Sequence, residues 1–476
     1  MSRIPATVRP AMPPSRRPDR GTKMRRLLAV GLAPVVVLST AGVLAGLAHA
    51  EPDAAVTSRV SVATDGGQGD KKSENSELSA DGRYVAFDSE ATTLVPGDTN
   101  EVSDVFVRDR LTGTTTRVSV ASDGSQAADD SRYPYPYSSN PSISADGRFV
   151  AFSSNATNLV EGDTNRTTDV FVHDIQTGAT TRASVASGGR ESWAGGFYAA
   201  ISGNGRYVTF VSSGADLVPG DTNQQRDIFR HDRETGLTTR VSVSSTGGQS
   251  NGSSDYSEPV MSADGRFVAF RSWATNLVSG DTNNASDVFL RDTERETTTR
   301  ISVASDGTEA NELSYEPSIS ADGRYVAYVS AGSNLIPGDV NNAHDVFRYD
   351  RLTGTTIRIS SATAVYAHFL PNGAQYPAIS GDGRYVAYWS DGEGIVPDDT
   401  NKSIDVFVHD VTTGATQRVS LTATGAQTGS WPFDFLSSVT VAMSADAQYV
   451  SYNSSATDLV SGDTNGVGDI FVSSRR

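Results

Sequence analysis

Apolar residues along the chain fall into short strand-length runs separated by turn-forming residues. Tyr84-Val85-Ala86-Phe87 is apolar on both faces, with Tyr84 and Ala86 on one side and Val85 and Phe87 on the other. That pattern predicts a strand sandwiched between two sheets. Asp104-Val105-Phe106-Val107-Arg108-Asp109 follows, and a Thr112-Gly113 turn leads to Thr116-Arg117-Val118-Ser119-Val120. This last run alternates polar and apolar residues, so one of its faces meets water. A first strand, such as Pro141-Ser142-Ile143-Ser144, precedes the set and is joined to it by Asp-Gly or Asn-Gly, which predicts a type I′ hairpin with positive φ at both central residues. Four antiparallel strands grade from buried to half exposed.

The unit recurs. Ser79-Ala80-Asp81-Gly82-Arg83-Tyr84-Val85-Ala86-Phe87 returns around Asp146, Asn204, Asp264, Asp322 and Asp382, and in degraded form around Asp446; successive spacings are 65, 58, 60, 58, 60 and 64 residues. Seven copies of a four-stranded unit predict the blades of a β-propeller, with a linear solenoid as the competing architecture. The termini decide between them. The seventh copy ends at Asp469-Ile470-Phe471-Val472-Ser473 without a fourth strand, while Thr57-Ser58-Arg59-Val60-Ser61-Val62 stands alone ahead of the first copy and matches a fourth strand. The expectation is an all-β, single seven-bladed propeller over residues 51–476, in which the strand at 57–62 completes the last blade. Closure of that kind also removes exposed sheet edges.

The Ser-x-Asp-Gly-Arg-[Tyr/Phe]-Val-Ala-[Phe/Tyr] signature resembles the TolB-type, WD-repeat-like propeller repeat of exported bacterial proteins, over residues 57–473. The resemblance implies the fold. Such propellers serve as protein-binding platforms, as non-catalytic domains of peptidases and, in some relatives, as polysaccharide lyases, so activity does not follow from it. Each copy here has about 60 residues where such repeats usually have about 40. The extra length lies in two loops that emerge on one face.

The first loop carries an invariant Asp-x-Asn with an Asp four residues later: Asp98, Asn100 and Asp104; Asp163, Asn165 and Asp169; Asp221, Asn223 and Asp227; Asp281, Asn283 and Asp287; Asp339, Asn341 and Asp345; Asp399, Asn401 and Asp405; Asp463, Asn465 and Asp469. Such oxygens would suit Ca²⁺, which accepts six to eight hard ligands. The other reading is Asx turns, with the second Asp paired to backbone amides or a neighbouring Arg. The second loops differ between copies and carry Tyr133, Tyr135 and Tyr137; Trp193, Phe197 and Tyr198; Tyr256; Tyr315; Tyr366 and Phe369; and Trp431, Phe433 and Phe435. On the rim of a ring these would bind a sugar or a peptide, or else plug gaps between blades.

Composition narrows the classes. The 426 residues after Ala50 carry 31 basic and 55 acidic side chains, a formal charge of −24, which argues against nucleic acid and anionic membrane as partners. No cysteine is present, so disulfides, a thiol nucleophile and zinc-thiolate sites are excluded. Lys23, Arg25 and Arg26, an uncharged stretch over 27–47 and Ala48-His49-Ala50 have the order of a secretory signal over residues 1–50. The predicted location is therefore extracellular, or the cell surface if the leader stays uncleaved.

Catalytic motifs such as H-E-x-x-H or a phosphate loop do not occur. His173, His231 and His409 fill a repeat position held elsewhere by Arg108, Arg291 and Tyr349, which reads as a solvated strand position. The resulting expectation is a secreted, non-enzymatic, monomeric propeller that binds a protein or glycan through its loop-rich face, with Ca²⁺ as the candidate cofactor. The alternative is an exported carbohydrate-active enzyme, polysaccharide lyase-like, with its site at the central channel. That alternative requires a unique His, Arg or Lys cluster beside a channel carboxylate, and only His368 and Arg190 stand outside the repeat pattern.

Overall fold

A computed structural model describes residues 56–128, 136–255, 257–362, 364–365, 373–429 and 440–475, all within the compact unit Glu51–Arg476. The expected signal segment, residues 1–50, lies outside them. The seven repeats form seven four-stranded antiparallel sheets arranged as a β-propeller. Blade 1 runs Ser73–Leu78, Tyr84–Ser89, Asp104–Asp109 and Thr114–Arg117 from the central channel outward, and the later repeats follow the same order. In the second strand Val85, Ala86 and Phe87 are fully buried, whereas the fourth strand alternates exposed and covered residues. Both agree with the hydrophobic pattern.

Apolar side chains from facing sheets meet in seven cores, one between each pair of neighbouring blades. Between blades 1 and 2, for example, Val105, Val107 and Val118 pack against Val150, Phe152 and Phe171. Within each blade two aromatic rings of strands two and three stack, as Phe87 and Phe106 do at 5.8 Å. No blade could bury its faces alone, so the sheets are stable only as a closed set.

The chain ends close the set. The last sheet consists of Val441–Met443, Tyr449–Ser454 and Asp469–Ser474 with Thr57–Arg59 as its outer strand. Thr57, Ser58 and Arg59 lie opposite Ser473, Val472 and Phe471, and the Val60 amide donates to the Ile470 carbonyl at 2.8 Å. Val60 is buried with Ile470 and Val472 in the core shared with blade 1.

A second closed circuit runs around the channel. Ahead of each hairpin a small residue donates its amide to the equivalent carbonyl of the next blade, from Ala80 to Ala145 and onward until Ala445 returns to Ala80, at 2.9–3.1 Å. Six of the donors are Ala or Gly and the remaining one is Asn204, whose neighbour Gly203 supplies the carbonyl. A side chain would crowd the circuit there: a Cβ on Gly381 would lie 3.1 Å from Ala445 Cβ.

The hairpin itself differs from the type I′ expectation. Gly82 takes φ +66°, but Asp81 is absent from the positive-φ residues. Asp81 instead folds its side chain back, accepting from the Ser79 hydroxyl (2.7 Å) and the Arg83 amide (3.0 Å), so the glycine alone turns left-handed. This matches a type I turn followed by a left-handed glycine. Glycine is required twice over, because the aromatic that opens the second strand of the preceding blade lies against it: a Cβ on Gly147 would fall 2.1 Å from the Tyr84 ring. Blade 7 has Ala447 here, at φ +57°. Gly147→Ala should therefore lower unfolding free energy by about 2 kcal/mol or more, and Ala447→Gly should raise it by about 0.5–1 kcal/mol, measured by denaturant titration.

Candidate functional site

Two polar systems lie toward the loop-bearing face, and they differ in symmetry. The first repeats in every blade. Each fourth strand carries an arginine, one of Arg59, Arg117, Arg182, Arg240, Arg300, Arg358 and Arg418, whose Nη1 lies 2.9–3.6 Å from both aspartates of the Asp-x-Asn loop. The asparagine donates from Nδ2 to the second aspartate at 2.8–3.1 Å. A serine two residues after the arginine donates its hydroxyl to the same carboxylate, as Ser119 does to Asp104 and Ser61 to Asp469. Burial pushes Asp104 and its equivalent Asp169 above the usual carboxylate range, opposed by these donors.

The cation facing each pair of carboxylates is thus a guanidinium. In blade 2 the acidic set is enlarged: oxygens of Asp163, Asp169 and Glu191 lie within 4.8 Å of one another, and Arg182 Nη1 is 2.6 Å from Glu191. Burial lifts Asp163 to about 7, and Asp169 and Glu191 add to the shift. A divalent ion at this triad would have to displace Arg182 or share the carboxylates with it. Removing an arginine instead would leave a buried acidic pair uncompensated, a change that costs about 3–5 kcal/mol in comparable sites.

The second system is asymmetric and lines the channel. Six residues before the hairpin Asp/Asn each blade places one residue on the channel: Asn75, Asn140, Tyr198, Glu258, Glu316, Tyr376 and Thr440. The register shifts at this point in blades 1, 2, 3, 5 and 6, and the five bulge residues there take φ of 48–55°. A left-handed Tyr or Glu costs about 1–3 kcal/mol, which makes the column notable: a bulge re-aims a side chain, and here the re-aimed chain lines the channel. Glu77 lies two residues further along in blade 1, where other blades have Ser, Ala or Val. Around these residues the channel encloses a cavity of about 460 Å³.

Charge in the channel is one-sided. Burial pushes Glu77 up to about 8; the Glu258 charge adds to this and the Ser142 hydroxyl opposes it. Glu258 is open to channel water yet encircled by protein, which also raises its proton affinity, against a hydrogen bond from Asn140. Glu316 is held at about 7 by burial, although the Tyr376 amide donates to its Oε2 at 3.0 Å and Arg271 lies nearby. Behind the channel wall Asp88 is buried and pushed up to about 8 while accepting from the Asn140 amide at 3.3 Å.

The residues expected at the rim separate into different places. Tyr137 and Trp193 are exposed, at 40% and 60%. Tyr198 lines the channel and packs edge-on against Phe197 at 5.1 Å. Tyr315 is buried, and its hydroxyl is 2.5 Å from His344 Nδ1. Arg271 lies over both Tyr315 (5.6 Å) and the exposed Trp273 (5.4 Å). Tyr133, Tyr135, Tyr256, Tyr366, Phe369, His368, Trp431, Phe433 and Phe435 lie outside the described residues. Arg190 pairs with Asp216 on the surface at 2.8 Å.

The repeated histidine position is not solvated. His173 and His231 are 5% and 7% exposed, and each sets Nδ1 2.9 Å from a fourth-strand threonine hydroxyl, which in turn donates to a carbonyl of the preceding blade. Arg108 and Arg291 reach the same threonines and also bond backbone carbonyls. What exchanges among copies is a buried polar contact between blades. Burial holds both imidazoles below their ordinary pKa.

Two outcomes follow from these sites. Because arginine supplies the positive charge at the seven loops, EDTA and added Ca²⁺ should leave the melting temperature unchanged; a shift of several degrees would place a metal beside the guanidinium. Glu77 retains its proton in the folded state up to about 8 but loses it near 4.5 when unfolded, so its contribution to stability falls as pH rises through that window. The stability advantage of Glu77→Gln over the parent should grow from pH 5 to about 8 and then level off, as read by denaturant titration across pH.

No protein-family model matches the sequence, and no curated protein sequence matches it. Solved structures do resemble the fold. A structure titled oligogalacturonate lyase in complex with manganese aligns with a TM-score of 0.52 at 12% identity, covering 88% of this chain and 93% of that one. An oligogalacturonate lyase from Vibrio parahaemolyticus aligns at 0.49 and 13% identity, with the same coverage of each chain. TolB from Acinetobacter baumannii aligns at 0.38 and 15% identity, covering 66% of this chain and 59% of that one. At such identities the likeness is one of fold, that of the β-propeller.

Proposed function

We propose that this chain is an exported, TolB-like β-propeller that binds a glycan or protein ligand through its loop-rich face, with the channel mouth as the recognition site. The observation that carries the reading is the break in sevenfold symmetry. Loops, hairpins and ion-pair locks repeat around the ring, whereas the channel column changes from Asn to Tyr to Glu and sits at a strained bulge in five blades. A ring built only for stability gains nothing from that variation, while a single ligand needs unlike groups at unlike positions. Export is supported by the residue order over 1–50.

One observation favours a second reading, an enzyme acting on polysaccharide. Arg271, Tyr315, His344 and Glu316 gather at blades 4 and 5, a basic cluster beside a channel carboxylate of the kind such an activity requires. Proton abstraction from a uronate and its stabilisation would call for groups of these kinds. The acidic lining disfavours polyuronate as the substrate.

Screening the mature chain on a glycan array and against extracellular protein should give a ligand whose binding is lost in Tyr376→Ala and Glu316→Gln and kept in Asp123→Asn on an outer turn. Binding unaffected by the channel substitutions would overturn the site assignment. Turnover of an oligouronate to an unsaturated product, with or without added Mn²⁺ and abolished in His344→Ala, would establish the second reading in its place.

A further inference from the structure

Three carboxylates line the channel, and among its described lining residues there is no Lys, Arg or His. The walls between them are neutral or apolar: asparagines, small hydroxyl residues, prolines, Met261 and Met443, and the rings of Tyr198 and Tyr376. The Glu258 charge opposes ionisation of Glu77, so added negative charge in this space is resisted. A polyanion is therefore the least compatible occupant.

Two polar atoms nearby lack partners. Asp255 is 3% exposed; its Oδ2 accepts from Arg226 Nη1 at 3.1 Å, while Oδ1 has no hydrogen-bond partner. Glu258, Arg226 and Asp255 all act on the Tyr198 hydroxyl, so the Arg226–Asp255 pair lies close behind the channel residue Tyr198. On the other side Trp389, 7% exposed, stacks at 6.1 Å on Tyr376 and leaves its indole N–H without an acceptor. Glu77 and Glu258 face the channel with no basic residue among its lining, and the free oxygen of Asp255 behind them lacks a donor, a deficit that an N–H-bearing positive group would fill. The indole lacks an acceptor, which a hydroxyl would supply.

Resting on the reading of the channel mouth as the recognition site, we infer that its ligand is a glycan with free amino groups, a hexosamine chain whose end enters between Tyr198 and Tyr376 with an ammonium directed at Glu258 and Asp255. Sugar hydroxyls find Asn75 and Asn140 beside the carboxylates, and the C–H faces of the rings find tyrosine. The cavity volume lies within the range of small-ligand sites. No bond is made or broken; the proposal is one of binding.

The test uses the mature chain and three probes in calorimetry at low and high salt: a glucosamine oligomer, the N-acetylglucosamine oligomer of the same length, and trilysine. The glucosamine oligomer should bind most tightly, with the acetylated one weaker by about tenfold or more. Added salt should weaken only the former. Glu258→Gln and Asp255→Asn should each reduce glucosamine binding by about tenfold while leaving the acetylated probe unchanged. Far-ultraviolet dichroism and melting of each variant report whether it is folded, and Glu316→Gln serves as the second channel variant if either is not. Equal affinity for the two oligomers would overturn the ammonium requirement and leave the glycan reading standing. Trilysine binding without either oligomer would overturn the inference in favour of a basic protein segment. Binding of none of the three overturns the inference, while the array and protein screen continue to test the wider reading.

Discussion

The structure depends on one non-local ladder. Three residues at the start of the propeller pair with three at its end, and the polar lock found in every blade is completed there by Arg59 and Ser61 reaching Asp463 and Asp469 across more than 400 residues of sequence. Without them the last sheet would lose its outer strand. Two buried aspartates would also face each other without a cation, and Val60 would leave the core between blades 7 and 1 open. Backbone pairing, charge compensation and apolar burial all converge on one segment, so the ring closes as a unit.

Closure explains how the inner strands can carry strain. The seven cores and the amide circuit through Ala80 and Ala445 hold each first strand on both sides. A bulge with Tyr or Glu in a left-handed conformation is tolerated because the surrounding sheet over-determines it. The same rigidity holds carboxylates in the channel at positions they would not occupy in a flexible loop, where repulsion would spread them into water. Raised proton affinity at Glu77, Glu258 and Glu316 is the consequence, with burial as its largest cause.

Architecture was legible because it is written seven times. The hairpin Asp-Gly, the doubly apolar second strand and the stray fourth strand at residue 57 each follow from local chemistry, and repetition removes ambiguity. Turn type was less legible: Asp81 prefers to cap its own turn with its side chain, and composition does not distinguish this from a positive φ. The interchange of His173 with Arg108 reads as exposure in a sequence, yet both serve a buried threonine, because a long polar side chain can satisfy an interior contact as well as meet water. Glu258 and Glu316 are hidden for a related reason. Their column reads as loop-like variation next to proline, and only the fold reveals that it lines the channel. Aligning the copies on the hairpin Asp and asking which column varies most would have found it.

The central claim is ring closure by the N-terminal strand, and the chain offers a clean way to test it, since it has no cysteine of its own. Thr57 and Ser473 are directly paired, with their hydroxyl oxygens 2.8 Å apart, a separation from which a disulfide can form with little movement. In the double variant Thr57→Cys and Ser473→Cys, mild oxidation of the folded monomer should consume both thiols in one intramolecular bond and raise the melting temperature. Two thiols that stay reactive in the folded monomer, or that cross-link only between chains, would contradict the account.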